Sequence, residues 1–153
     1  MSRVDERIAE LGLSLPEPTA PLASYVPVAV AGSLAFVSGQ TPSSDGVPMM
    51  TGKVGADVTV EEAQRAAARC SLQAISVLRA ELGDLDRIRR IVALTVYVAT
   101  APGFNEPHRV ANGASDLLID VFGDAGRHAR AAIGVAELPL GVPVEVSVTV
   151  EVA

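Results

Sequence analysis

From Val144 to Val152 the chain reads Val-Glu-Val-Ser-Val-Thr-Val-Glu-Val, with five valines alternating with Glu145, Ser147, Thr149 and Glu151. Successive side chains of a strand point to opposite faces, so this period of two predicts a strand within Val142 to Val152, dry on one face and polar on the other. A nonpolar face that regular must be covered, and two upstream segments read as helices packed on the sheet. Thr59 with Glu62 matches a capping box opening a helix that runs to about Leu82. In it Ala63, Ala66, Ala67, Cys70, Ala74, Val77 and Leu78 recur at helical spacing, and Gly83 supplies the stop. Val110 to Phe122 reads as a second helix, with Leu117, Leu118, Val121 and Phe122 inward, Asp116 and Asp120 outward, and Gly123 closing it.

The remaining strands lie around these helices. Ile91-Val-Ala-Leu-Thr-Val-Tyr-Val98, inside Ile88 to Ala99, is a nearly continuous apolar run, the pattern of a strand covered on both faces, and is expected at the centre of the sheet. Pro27 to Ala31 and Leu34 to Ser38, separated by Gly32-Ser33, predict a hairpin. Ala131 to Glu137 is a further strand, joined to the last one by the turn Leu138-Pro-Leu-Gly141. Gln40 to Asp57 carries Pro42, Gly46, Pro48, Gly52 and Gly55 without periodicity and is read as a long loop of the kind that is often functional. At the front, Val4 to Leu13 suits a short amphipathic helix, followed by a Pro-rich stretch from Pro16 to Pro21.

The order is a helix followed by ββαβαββ. This implies one α+β domain over residues 1–153, with residues 1–20 as helix and lead-in and two helices on one face of one sheet. The second sheet face, expected to be rich in valine, would need covering by self-association.

Composition narrows the function. The 153 residues are 49% hydrophobic and 20% charged, enough to bury a single core. Twelve Lys plus Arg against eighteen Asp plus Glu give a net charge of -6, and aromatics are only 3%. Both oppose nucleic acid as a partner, with Arg87, Arg89 and Arg90 the one dense basic patch. A single cysteine, Cys70, suits a reducing compartment. The charged start Met1-Ser-Arg-Val-Asp-Glu-Arg7 and the lack of any membrane-length apolar run predict a soluble cytoplasmic protein with no membrane partner.

Several chemistries fail on spacing. Gly46 to Lys53 has five residues rather than four between its glycines and Val54 where a P-loop needs Ser or Thr. Ser38 lacks the leading glycine of a hydrolase elbow. His108 and His128 lie twenty apart without a ligand-spaced third partner, so no metal site is expected. What remains is a polar set at strand ends: Tyr25, Ser38-Gly39-Gln40, Asn112, Arg130 and Glu145. Arg130 opens an otherwise apolar strand, where a guanidinium is costly unless it pairs with an acidic neighbour or binds an anion. Glu145 is the corresponding anomaly on the last strand, or an ordinary solvated member of its polar face; consecutive strands would bring it near Arg130, with the register not fixed by the sequence.

These residues resemble the Rid or YjgF-like family of reactive-intermediate deaminases, historically labelled endoribonuclease L-PSP. The resemblance runs from about Tyr25 to the end. It rests on Phe36-Val-Ser-Gly-Gln40 with Pro42, Thr51-Gly52, Val92 to Val98 with Phe104, and Ala129-Arg130 followed by Leu138-Pro139 and Val144-Glu145-Val146. The N-terminal helix, Asn112-Gly-Ala-Ser-Asp-Leu-Leu118 and Gly126-Arg-His-Ala-Arg130 look like a long-form branch.

The resemblance implies a chorismate mutase-like fold assembled as a homotrimeric barrel, with sites in clefts between subunits. It implies hydrolysis of small 2-enamino or 2-imino acids to 2-keto acids and ammonia, with neither cofactor nor metal. Arg130 matches the family arginine that clamps the substrate carboxylate, and Glu145 the glutamate that activates water. Tyr25, Ser38, Gly39 and Asn112 would line the pocket. Ala131 and Ala132, where the archetype is often polar or Cys, imply a more apolar pocket, and His128 stands where the archetype has Pro. The alternatives are a noncatalytic sensor of small carboxylates on the same cleft, an endoribonuclease as the label suggests, and chorismate mutase chemistry, for which one arginine is a thin provision.

Overall fold

The computed structural model describes residues 1–18, 20–21 and 23–153; Thr19 and Leu22, within the Pro-rich lead-in and the segment after it, lie outside the described residues. Helix α1, Arg3–Glu10, begins at Ser2, whose Oγ accepts from Asp5 N–H while Asp5 accepts from Ser2 N–H. The β1–β2 hairpin pairs Val28–Ala31 with Leu34–Gln40 around the expected Gly32-Ser33 turn. Helix α2, Val60–Leu82, starts at the predicted capping box: Glu62 N–H donates to Thr59 Oγ1 at 3.1 Å, and Thr59 N–H to the Glu62 carboxylate at 2.9 Å. Gly83 ends it with φ 77. The segment read as a loop holds a small hairpin, β3 Ser43–Ser44 and β4 Val47–Pro48, because Asp45 (φ 52) and Gly46 (φ 76) form the left-handed pair that a tight hairpin turn needs.

Strand β5 is Ile88–Ala99, helix α3 Pro107–Phe122, strand β6 Ala129–Val135 and strand β7 Val144–Val152. The main sheet runs in the order β1-β2-β7-β5-β6, antiparallel throughout except for the parallel pair β5–β6. The centre therefore belongs to β7, not to β5. Strands β6 and β7 are consecutive in the chain but not neighbours, since β5 lies between them, which corrects the expected closeness of Arg130 and Glu145.

The valine stripe of β7 faces the helices. Val144, Val146, Val148, Val150 and Val152 are all buried, in one cluster with Ala35 and Val37 of β2, Leu94, Val96 and Val98 of β5, and the small residues of α2. Each buried valine contributes about 1.5–3 kcal/mol of transfer free energy. The opposite face is not the second valine surface that was expected. Glu145, Ser147 and Thr149 lie across from Tyr97, Thr95 and Ala93, with the half-exposed Phe36 and Ile133 at the flanks. Strand β5 looks doubly apolar in sequence because its outward positions, Ala93, Thr95 and Tyr97, carry little polarity.

The two long helices approach closely at Gly113. A Cβ there would overlap the Gln64 carbonyl oxygen and lie 2.7 Å from its carbon. Gly113→Ala forces α3 away from α2 and is expected to cost about 1–3 kcal/mol, read as a lowered denaturant midpoint at unchanged m-value.

Candidate active site

The sequence-predicted polar residues fall into two groups. The first surrounds the end of β2. Between Val37↔Val148 and Gln40↔Val146 the register slips by one residue, so Ser38-Gly39 forms a bulge against β7. The Gln40 amide closes it by donating to the Ser38 carbonyl at 3.1 Å. Gly39 meets Glu145 here: a Cβ on Gly39 would lie 2.9 Å from the carboxylate carbon and closer still to Oε1, so only glycine leaves room for this acid. Tyr25, Ser38, Gly39 and Glu145 line one cleft of ≈ 190 Å³, walled also by Pro139, Leu140 and the β3–β4 hairpin. Helix α2 holds that hairpin in place, through Arg69 Nε and Gln73 Nε2 donating to the Ser43 carbonyl at 3.0 and 3.1 Å.

Glu145 sits at the floor of this cleft on the open face of the sheet. Its partial burial pushes the carboxyl above its ordinary range, because the charged form loses water. Among the described residues it enters no ion pair. A half-desolvated, unpaired carboxylate facing a cleft is suited to exchanging protons with a bound water.

The second group is on β6 and α3. Arg130 is exposed at the free edge of β6, opposite Leu94, and its side chain turns to the helix side of the sheet. Nη1 donates to Asn112 Oδ1 at 2.9 Å and Ser115 Oγ at 3.2 Å, and Nη2 to the His108 carbonyl at 3.3 Å. None of the ion pairs among the described residues includes Arg130. Of the two readings open for Arg130 in the sequence, the pairing with an acidic neighbour is therefore not found among the described residues. Its three partners are neutral, which leaves the charge uncompensated. Five N–H donors less three used leave Nε–H and one Nη2 hydrogen, enough for a two-pronged contact with a carboxylate. Ala132 follows on the same face, partly buried opposite Val96.

Within one chain the two groups do not meet. Glu145 is opposite Tyr97 and Arg130 opposite Leu94, three residues along and two strands across, which places their Cα atoms about 14 Å apart. Their side chains also leave opposite faces of the sheet. Asn112, expected in the pocket with Tyr25 and Ser38, belongs instead to the arginine group. Sequence reasoning missed Ser115 and the ring of His128, which join Arg130 in one hydrogen-bonded chain. The signals were present: Ser115 is one helical turn after Asn112, and His128 two residues before Arg130, hence on one strand face.

A family model described as "YjgF/chorismate_mutase-like, putative endoribonuclease" matches residues 5–151. Protein TCP17 of Trypanosoma cruzi is 50% identical over 150 residues, covering 97% of this chain and 94% of TCP17. The crystal structure of Atu1372, a protein with unknown function from Agrobacterium tumefaciens, superposes with a TM-score of 0.89 at 45% identity, covering 97% of this chain and 91% of its own. A "putative endoribonuclease" from Shewanella oneidensis superposes with a TM-score of 0.94 at 36% identity, covering 97% and 99%. No helix among the described residues is long and apolar enough to cross a membrane.

Proposed function

The chain belongs to the YjgF/chorismate mutase-like family, and from that premise we propose that it hydrolyses small 2-imino acids, and the 2-enamino acids that tautomerise to them, to 2-keto acids and ammonia. The observation that carries this reading is Arg130: an exposed guanidinium, oriented by three neutral acceptors and free of any acid among the described residues. In the proposed reaction it bridges the substrate carboxylate and withdraws electron density from the neighbouring C=N carbon. Glu145 holds a water and accepts its proton as oxygen adds to that carbon. That proton passes to the imine nitrogen, giving the neutral carbinolamine; the hydroxyl proton then moves to the same nitrogen through Glu145, the C–N bond breaks, ammonia leaves and the carbonyl forms. The balance is one imino acid plus water to one keto acid plus ammonia.

The 14 Å separation within a chain supports the second half of the proposal: a homotrimer in which the Arg130 edge of one subunit faces the Glu145 cleft of the next. The half-exposed Phe36 and Ile133 on the open sheet face are the apolar surface such an assembly covers. A cytoplasmic location suits the substrate class.

The test is keto-acid release from imino acids generated in situ by an amino-acid oxidase. As the base form of Glu145 is required and its pKa is raised, kcat/KM is expected to climb with pH through a limb above the ordinary carboxylate range. Glu145→Gln should lower kcat about 10²- to 10⁴-fold and abolish that limb. The same shift sets a sign for stability. A carboxyl whose folded pKa is raised favours the folded state in acid, and that contribution is lost as pH rises through the folded value. Glu145→Gln is therefore expected to melt higher than the parent at pH 8, and the difference should vanish at pH 4. An acid limb unchanged in Glu145→Gln would remove Glu145 from the mechanism.

A further inference from the structure

We propose that His128 and Ser115 are positioning residues that lock the Arg130 guanidinium for carboxylate capture; this rests on the reading of Arg130 as the carboxylate anchor.

With the imidazole neutral, the hydrogen bonds have one consistent direction. His128 Nδ1 is 2.6 Å from the Gly126 carbonyl oxygen. That oxygen can only accept, so Nδ1 carries the ring proton and, in the neutral imidazole, Nε2 is the acceptor. Ser115 Oγ, 2.9 Å from Nε2, then donates to it. With its proton committed, Ser115 presents lone pairs to Arg130 Nη1, 3.2 Å away. The chain is thus Arg130 to Ser115 to His128 to the Gly126 carbonyl, and each group is oriented by the next.

Both ends of this chain are fixed. Gly126 is buried against α3 so closely that a Cβ would overlap the Leu118 carbonyl oxygen and lie 2.9 Å from the Ile119 Cα, so its own carbonyl cannot drift. Ser115 is buried and shares α3 with Asn112 and His108, the other two anchors of the guanidinium. Without the imidazole, the Ser115 hydroxyl has its own helix carbonyl, four residues back, as the alternative acceptor, and is no longer pinned beside the arginine. A free arginine loses side-chain entropy each time it grips a ligand; one already held in plane has lost it beforehand. Serine beside histidine also has the composition of a nucleophile and its base. Here the serine oxygen accepts from a cation, which lowers its nucleophilicity, so the pair orients rather than attacks.

The experiment measures pyruvate affinity by calorimetry, with kcat and KM for imino-acid hydrolysis, on the assembled protein. His128→Phe keeps a ring and deletes both nitrogens; Ser115→Ala removes one oxygen; His128→Gln restores an acceptor near the Nε2 position. The first two are expected to weaken pyruvate binding about 5- to 20-fold and to raise KM more than they lower kcat, and His128→Gln should recover most of the loss. In an Arg130→Ala background, His128→Phe should change pyruvate affinity less than about twofold, because the residue it acts through is gone. Wild-type affinity in both His128→Phe and Ser115→Ala, with Arg130→Ala impaired, overturns the proposal and leaves the anchor standing. Equal losses with and without Arg130 also overturn it. Unchanged affinity in Arg130→Ala overturns the anchor and the proposal together. If His128→Phe fails to fold, Ser115→Ala carries the same comparison.

Discussion

Arg130→Ala is expected to reduce kcat/KM for imino-acid hydrolysis by about 10²- to 10³-fold while moving the melting temperature by no more than about 2 °C. The asymmetry follows from what the side chain touches. Its hydrogen bonds are to neutral acceptors on α3, and it lies exposed at a sheet edge. Removing it would deprive the proposed carboxylate substrate of a charge-assisted anchor and the fold of little. Mixing this variant with Glu145→Gln then tests the geometry. If each site takes Arg130 from one chain and Glu145 from the next, every hybrid trimer rebuilds one intact site. Random reassembly of equal amounts should thus restore about a quarter of wild-type activity from two inactive parents. A mixture as inactive as its components would mean that the two residues serve one site from a single chain, or no common site.

Val148→Asp should leave no folded protein near neutral pH, seen as loss of far-ultraviolet dichroism and of a cooperative melt. Val148 is 1% exposed, in the middle strand, with Val37 and Leu94 opposite it on the two flanking strands. The change forfeits about 2 kcal/mol of burial and adds the cost of an unpaired carboxylate in an apolar site, which together take up much of an ordinary domain stability of about 5–15 kcal/mol. Thr149→Asp, one residue along and on the open face, is the control. It should keep the fold, and any change it makes should be in the oligomeric state read by light scattering. A folded Val148→Asp would mean that the two faces of β7 are reversed.

Local signals in the sequence were reliable because their physics is local. The Thr59–Glu62 box sets the start of α2 through two short hydrogen bonds, Gly83 its end through a left-handed φ, and the period of two in β7 its faces. Strand order was not legible, since pairing partners are chosen by contacts far apart in the chain. The helical connection α3 lays β6 parallel to β5, and the turn at Pro139–Gly141 then carries the chain across to the far side of β5. From the sequence that step is indistinguishable from a simple hairpin. The same nonlocality hid the division of the candidate site. Arg130 and Glu145 stood out singly, as a charge in an apolar strand and an acid on an alternating one, but which face and which edge each occupies depends on the register. The β3–β4 hairpin and the His128–Ser115 link were smaller omissions, for Asp45-Gly46 and His128-Ala-Arg130 are spacings that a turn rule and a strand period can read.

The central place of β7 also dictates an order of events during synthesis. The β1–β2 hairpin and the β5–α3–β6 unit are both complete before residue 144 is made, yet they have no direct pairing with each other. Until β7 inserts, β2 and β5 each present an unsatisfied row of backbone groups, with Ala35, Val37, Leu94 and Val96 uncovered beside them. A chain whose β7 has yet to insert has a gap the width of one strand, and a β7 from another copy has the same sequence with which to fill it. Refolding at high concentration, where copies meet before β7 is seated, is where this architecture is exposed to strand exchange.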